Sequence, residues 1–162
     1  MEANGQKKIV DVTNFTDDIL EIEQPQENKK VTVSSANDKF IISQNNVLAQ
    51  TSFPISINPN GKYVIVTTPT GNRYLGVFPS EAIDNLTKTK VIDQLQESVP
   101  LQLTEGPAGE LEYEVSGEKL VKIFNLFDIK APISLTVSAL DGQLLDIEQP
   151  TWYKVFGFLF NS

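Results

Sequence analysis

Residues 53–78, FPISINPNGKYVIVTTPTGNRYLGVF, decide the fold class because they combine three strand patterns with two turn signals. From Phe53 to Ile57, apolar residues alternate with small or polar ones, as a strand with one buried face requires. Asn60 and Gly61 favour the type I′ turn of a β-hairpin, and residues 69–72 supply a second turn. The stretch predicts a three-stranded meander whose strands are 53–57, 63–68 and 74–78.

The middle strand of this meander is apolar on both faces over residues 63–66, so it is predicted to be covered from both sides. Further short alternating segments, separated by turn residues, occur along the rest of the chain. The chain is therefore predicted to be mainly β, an antiparallel β-sandwich or barrel. Residues 1–6 are expected to form a flexible polar tail, and residues 7–162 a single β-rich domain.

One short helix is predicted at about residues 80–97, since Ser80 can cap it and apolar residues recur near helical spacing up to Glu97. Thr87 and Thr89 weaken this helix because β-branched side chains lose rotamer freedom there. Residues 119–129 fit either a strand or a short buried helix.

Two pairs of segments resemble each other along the chain. Residues 19–25 and 144–150 both end in Ile-Glu-Gln-Pro, and residues 31–34 and 135–138 both end in Thr-Val-Ser. The pairs occur in opposite order, so a tandem duplication does not explain them. The favoured interpretation is two similar solutions to an edge strand that ends at proline.

The composition argues against several kinds of function. The chain has 13 Lys+Arg against 21 Asp+Glu, a net charge of −8, and Arg73 is its only arginine, so nucleic-acid binding is not expected. It contains no histidine and no cysteine, which removes catalytic triads and thiolate chemistry. We therefore predict no catalytic residues, no metal site and no cofactor.

The hydrophobic segments are too short for a membrane helix. The longest mainly apolar stretch, residues 152–160, has nine residues, and the amino-terminal residues lack the apolar core of a secretory signal. The sequence predicts no membrane insertion and a cytoplasmic or assembly-associated protein.

An acidic strand is the first candidate interaction surface. Glu110, Glu112 and Glu114 alternate with Leu111 and Tyr113. This pattern is typical of a solvated strand face, and it is favoured strongly over a catalytic pair of carboxylates. Its functional form would be an electrostatic surface for a basic partner.

The aromatic carboxy-terminal segment is the second candidate interaction surface. Read as a strand, residues 152–160 are apolar on both faces and need cover on both sides. A central strand of the domain's own core is favoured over pairing with another chain. The candidate residues share aromatic side chains: Trp152, Tyr153, Phe156, Phe158 and Phe160.

The leading functional hypothesis is a non-enzymatic structural or interaction protein. It would self-associate or dock on a larger assembly, for example as a virion component, through β-surfaces. The alternative is a monomeric β-barrel or sandwich that binds a small ligand, a glycan or a protease, with Tyr63, Tyr74 and Trp152 as candidate lining residues. A carboxylate hydrolase ranks last.

Overall fold

Turns with left-handed backbone connect the early strands of the chain. Asn37 and Asp38 have φ values of 52° and 59°, and Asn45 and Asn46 have 48° and 65°. Asn and Asp tolerate this region better than most residues, and two consecutive positive φ values match the twist of a hairpin. The sequence between residues 29 and 51 therefore folds into successive antiparallel hairpins.

The structure is a computed structural model that describes residues 10–11, 20–24, 29–58, 63–96, 98–155 and 160–161. In chain order the strands are β1 (Val10–Asp11), β2 (Leu20–Gln24), β3 (Lys29–Ala36), β4 (Lys39–Gln44), β5 (Val47–Thr51), β6 (Ile55–Asn58), β7 (Tyr63–Thr68), β8 (Gly71–Leu75), β9 (Gln94–Leu95), β10 (Leu101–Glu105), β11 (Leu111–Ile123), β12 (Phe127–Ser138), β13 (Leu144–Glu148) and β14 (Phe160–Asn161). The helices are α1 (Pro79–Lys88) and α2 (Thr151–Val155). The predicted tail at residues 1–6 lies outside the described residues.

The strands form two sheets that share one core. The smaller sheet has the order β1-β6-β7-β8, and the larger has the order β13-β12-β11-β10-β5-β4-β3-β2. β9 and β14 also belong to the larger sheet, and both pair with β11. Buried side chains from both sheets and from α1 make one hydrophobic cluster, with Ile42, Val64, Leu86 and Tyr113 among its members. The mainly β, sandwich-like prediction is confirmed.

One pairing departs from the antiparallel expectation. β5 and β10 are parallel, with Ala49 opposite Leu101 and Gln50 opposite Gln102. This pairing joins two antiparallel meanders, β2–β5 and β10–β13, edge to edge. β6, β7 and β8 of the smaller sheet and α1 fall between these meanders in sequence, which gives the chain the long crossover that a parallel pair requires.

The predicted meander at residues 53–78 is present as β6, β7 and β8. Its last strand is Gly71–Leu75 and not residues 74–78. It begins directly after a two-residue turn, where Gly71 has φ of +135° and pairs with Thr68. In the middle strand Val64 and Val66 are fully buried, whereas Tyr63 and Ile65 are half-buried. Asn60 and Gly61 lie outside the described residues.

The predicted helix is present but ends at Lys88 instead of near residue 97. Thr89 donates its hydroxyl to the carbonyl of Asn85, and Lys90 has φ of 57°, which breaks the helical backbone. Ser80 does not cap the helix, because its hydroxyl donates to buried Gln44 Oε1 at 2.6 Å. The carboxylate of Glu81 instead accepts the backbone N–H of Phe78.

The two similar sequence segments occupy the two outer edges of the larger sheet. β2 and β13 are its terminal strands, and the similar neighbours lie in β3 and β12. The register is also the same, since Ile22 pairs with Val31 as Ile147 pairs with Leu135. The structure thus confirms the interpretation that both segments are edge strands.

The segment 119–129, whose sequence fits either a strand or a short buried helix, is the end of a long β-hairpin. β11 has 13 residues and β12 has 12, and they pair without interruption from Glu112 with Ser138 to Ile123 with Phe127. Such strands span about 40 Å. The base of the hairpin lies in the core, whereas the ends of its two strands and the turn between them project beyond the main hydrophobic cluster.

The strand predicted across residues 152–160 is wrong in its first half. Thr151–Val155 is a helix, and Trp152 is 39% exposed, so this part is not a covered central strand. Of the described residues after Val155, Phe160 and Asn161 form a strand, which pairs with Ile123 and Lys122. Alternating apolar residues fit a helix as well as a strand when the run is this short.

Candidate interaction surface

The exposed end of the β11–β12 hairpin is the strongest candidate for a functional surface. Four large apolar side chains face solvent there, and we name them together the hairpin tip. They are Leu120 (52% exposed), Phe124 (63%), Leu126 (76%) and Phe127 (66%). Large exposed apolar side chains gathered at one end of an element are uncommon on a monomeric protein and indicate contact with a partner.

The turn at the hairpin tip holds a bulky residue in an unfavourable backbone conformation. Phe124 and Asn125 have φ values of 51° and 58°, and the N–H of Leu126 donates to the carbonyl of Ile123 at 3.0 Å. Asn is common in the left-handed region, but an aromatic residue there is unusual. The Cβ clash in this region costs about 1–2 kcal/mol.

The hairpin is braced just below its tip by the segment that follows α1. The carboxylate of Asp93 accepts the N–H of Leu120 at 2.8 Å, and β9 pairs with Gly117 and Glu118. Gly117 permits this approach, since a Cβ there would lie 2.7 Å from Cγ2 of Ile92, which is buried. The tip is therefore presented on a supported strand pair.

Ion pairs surround the apolar side chains of the tip. Lys130 lies 3.1 Å from Glu118, and Lys122 lies 4.0 Å from Asp128. Hydrogen bonds from Gln94 and from Lys130 lower the pKa of Glu118, so this carboxylate stays ionised. Both lysine side chains remain largely exposed and can reach a partner's carboxylates.

The acidic strand lies on the outward face of the larger sheet. Glu110 and Glu114 are exposed and Glu112 is half-buried. Burial and the charges of Glu110 and Glu114 raise the pKa of Glu112. Asp146 of β13 shares this face, because Thr136 pairs with both Asp146 and Glu114. The structure places the predicted acidic residues at the base of the hairpin, far from its tip.

The aromatic candidates are only partly brought together. Trp152 and Tyr153 lie on α2, with their ring centroids 6.0 Å apart in an edge-on arrangement. Phe156 and Phe158 lie outside the described residues. Phe160 pairs through its backbone with Ile123, directly beside the turn of the hairpin tip.

The four tip residues were missed by sequence reasoning. The segment 119–129 has no Gly or Pro to mark its turn, and apolar residues flank Asn125 on both sides. The available signal was Asn125 itself, since Asn is the non-glycine residue best suited to a left-handed turn between two strands.

A shallow cleft of about 250 Å³ lies beside β5. Val47, Leu48, Leu95, Val99 and Leu101 supply its apolar wall, and none of the described lining residues is charged. The cleft can take up an apolar group, and its described lining contains no side chain suited to acid–base catalysis.

Neither a metal site nor a membrane helix is present in the described part of the chain. Its Asp and Glu side chains do not come together in groups of three or more that could hold a metal ion. No helix among the described residues is long and apolar enough to span a membrane.

Comparison with known proteins gives no relative. No family model, curated protein or solved structure matches the chain. The functional conclusion therefore depends on the surfaces described above.

Proposed function

We propose that this protein is a non-enzymatic structural or interaction protein that self-associates or docks on a larger assembly through its β-surfaces. The observation that carries this proposal is the hairpin tip, where four large apolar side chains are more than half exposed at the end of a braced hairpin. A virion or a similar large assembly is one setting that fits such a protein.

The backbone of Phe124 supports a role for its side chain beyond holding the turn. Asn or Gly would adopt the same φ of 51° with less steric cost. The stability of the turn therefore does not account for an aromatic residue at this position. Strained backbone at an exposed position is typical of binding sites.

The size of the tip predicts a weak contact when it acts alone. Full burial of a Leu or Phe side chain gives roughly 1.5–3 kcal/mol, so four side chains that are 52–76% exposed give on the order of 4–8 kcal/mol. Association entropy opposes this gain. A stable contact then needs complementary charge on the partner, or many copies acting together.

The variant Phe124→Asn tests this proposal because it separates folding from docking. We expect its free energy of unfolding to rise by about 1 kcal/mol, since the left-handed backbone becomes relaxed. Its self-association, measured by sedimentation velocity from micromolar to millimolar concentration, should become weaker. Leu48→Asn is the matched control, because Leu48 is exposed on β5, away from the tip.

Docking on a larger assembly is tested with the wild type, Phe124→Asn and Leu48→Asn as baits. A partner retained by the wild type and by Leu48→Asn, but lost with Phe124→Asn, supports the proposal. A wild type that stays monomeric and captures nothing in a tip-dependent way contradicts it.

A second candidate function rests on the cleft beside β5. Its uncharged apolar wall fits a small apolar ligand, as in a monomeric binding module. Binding of a hydrophobic fluorescent probe to the wild type, abolished in Leu48→Asn and kept in Phe124→Asn, would favour this second function.

A further inference from the structure

We propose that copies of this chain associate head to tail, with the hairpin tip of one copy docked on the β13 edge of the next. This inference rests on the proposed function, because the same tip is the docking element. It adds two points to that function: the partner is a second copy of this chain, and a particular surface of that copy receives the tip.

The receiving surface is the open edge of β13, which has apolar side chains on one face and carboxylates on the other. Leu144 and Ile147 share the face of their partners Val137 and Leu135, whereas Asp146 shares the outward face of Thr136. β13 is a terminal strand of the larger sheet, so one side of its backbone has no neighbouring strand among the described residues. Leu144, Leu145 and Ile147 are exposed along it, and Leu140 is exposed in the turn before it. Residues 140–150 contain three carboxylates and neither Lys nor Arg. We name residues 140–148 the acidic edge.

The hairpin tip has the opposite charge balance. Residues 118–130 contain three lysines and two carboxylates, a local excess of positive charge in a chain of net charge −8. Lys122 lies on the same sheet face as Glu114, because the two are eight residues apart on one strand. This face therefore changes from acidic at the base of the hairpin to lysine-bearing at its tip.

Charge complementarity favours a second copy over a lipid surface. An anionic membrane would attract Lys122 and Lys130 but repel the acidic remainder of the chain. The acidic edge presents carboxylates on its outward face and apolar side chains on the opposite face. The hairpin tip has the same division, with Lys122 on the outward face and Phe127 on the opposite one, so the two surfaces are complementary in charge.

The two surfaces cannot meet within one molecule. Ser134, which pairs with Glu148, lies opposite Ser116, and the turn of the tip begins eight residues further along β11. At about 3.3 Å per residue the turn lies about 25 Å from Ser116 along the strand, and Leu120 lies about 13 Å from it. Contact between unlike surfaces on different copies is heterologous, so it leaves a free tip and a free edge and continues into a ring or a filament.

Two charge-introducing variants at exposed positions test the pairing. Leu126→Glu places a carboxylate on the tip, and Leu145→Lys places a cation on the acidic edge. Each puts like charges opposite each other, so each should weaken self-association by at least about tenfold. Leu48→Lys is the matched control, since Leu48 and Leu145 are 44% and 45% exposed. Circular dichroism verifies that each variant keeps the strand content of the wild type.

Mixing the two variants is the decisive measurement. In an equimolar mixture the intact tip of Leu145→Lys meets the intact edge of Leu126→Glu, and the other contact places the introduced carboxylate opposite the introduced cation, so association is regained. We expect each variant alone to sediment as the 18.0 kDa monomer and the mixture to assemble beyond the monomer. The wild type and Leu48→Lys should grow beyond the dimer.

Several outcomes overturn the inference while leaving the proposed function intact. Self-association of either variant alone, or a mixture that stays monomeric while the wild type assembles, would show a different contact. A wild type that is monomeric but binds vesicles of anionic phospholipid through its tip would identify a lipid partner instead. If the wild type is monomeric but captures another protein, and Phe124→Asn does not, then the tip docks on a different protein and not on a second copy.

Discussion

At the scale of single residues, Glu105 and Glu112 show how the same side chain responds to two environments on neighbouring strands. Hydrogen bonds from Thr68 and Thr70 lower the pKa of Glu105, so its carboxylate stabilises the folded chain. Glu112 has its pKa raised by burial and by the nearby charges of Glu110 and Glu114. The carboxylate of Glu105 links the two sheets by hydrogen bonds, whereas the ionised carboxylate of Glu112 destabilises the fold.

The raised pKa of Glu112 makes a prediction about pH. Its stabilising contribution is fully present below the unfolded value of 4.5 and is lost as the pH rises through the folded pKa. Glu112→Gln should therefore raise the free energy of unfolding at neutral pH, by on the order of 0.5 kcal/mol. The gain should disappear below about pH 4.5 in urea titrations at several pH values.

Glu105→Gln is the control of opposite sign. The folded pKa of Glu105 is lowered, so its contribution is present above 4.5 and is lost as the pH falls through the folded pKa. This variant should be less stable than the wild type at neutral pH and should converge with it in acid. Two variants with the same pH dependence would contradict both assignments.

At the scale of elements, the two edge strands were predictable and the hairpin tip was not. The repeated Ile-Glu-Gln-Pro segments carry the period-two pattern and a terminal proline, which are local signals for an edge. The register of Ile22 and Ile147 follows from that alternation. The exposed tip depends on how far β11 and β12 continue beyond the core, which local periodicity does not encode.

The carboxy-terminal elements are expected to be separable from the core. Among the described residues, the main hydrophobic cluster includes none after Ala139. A chain ending at Gln149 should therefore stay folded and soluble, less stable by roughly 1–3 kcal/mol, because the pairing of β14 with Lys122 and Ile123 is lost. Faster amide exchange at residues 118–123, with an unchanged core, is the expected measurement.

A chain ending at Gln143 is the comparison for this truncation. It also lacks β13, which pairs with the core-lining residues Leu135 and Val137, so it should lose more stability. Aggregation of the chain ending at Gln149 would instead show that residues after Gln149 belong to the core.

At the scale of the whole molecule, the larger sheet is two meanders joined by a short parallel pairing. The strand content and the sandwich class followed from alternation and turn residues along the sequence. The β5–β10 pairing could not be predicted from these patterns, because Ala49 and Leu101 are far apart in sequence. The alternation in each strand is equally compatible with an antiparallel neighbour. Long-range pairing is set by the packing of the shared core, not by local pattern.

Leu101→Ala tests the kinetic role of this join. Each meander consists of local hairpins that form quickly, so bringing β5 and β10 together should limit the folding rate. Leu101 is buried, and its truncation should slow refolding by about tenfold or more, whereas Val121→Ala should mainly accelerate unfolding. Stopped-flow chevron plots measure both rates, and an unchanged refolding rate for Leu101→Ala would contradict this view.

The same join has a consequence for the chain as it is synthesised. Residues that form β2–β8 and α1 leave the ribosome before β10, so β5 remains an open strand edge until Gln102 has emerged. An unpaired edge is a template for pairing with other chains. We infer that the nascent protein is most prone to co-translational aggregation in this interval, when protection of Val47–Thr51 by a chaperone would matter most.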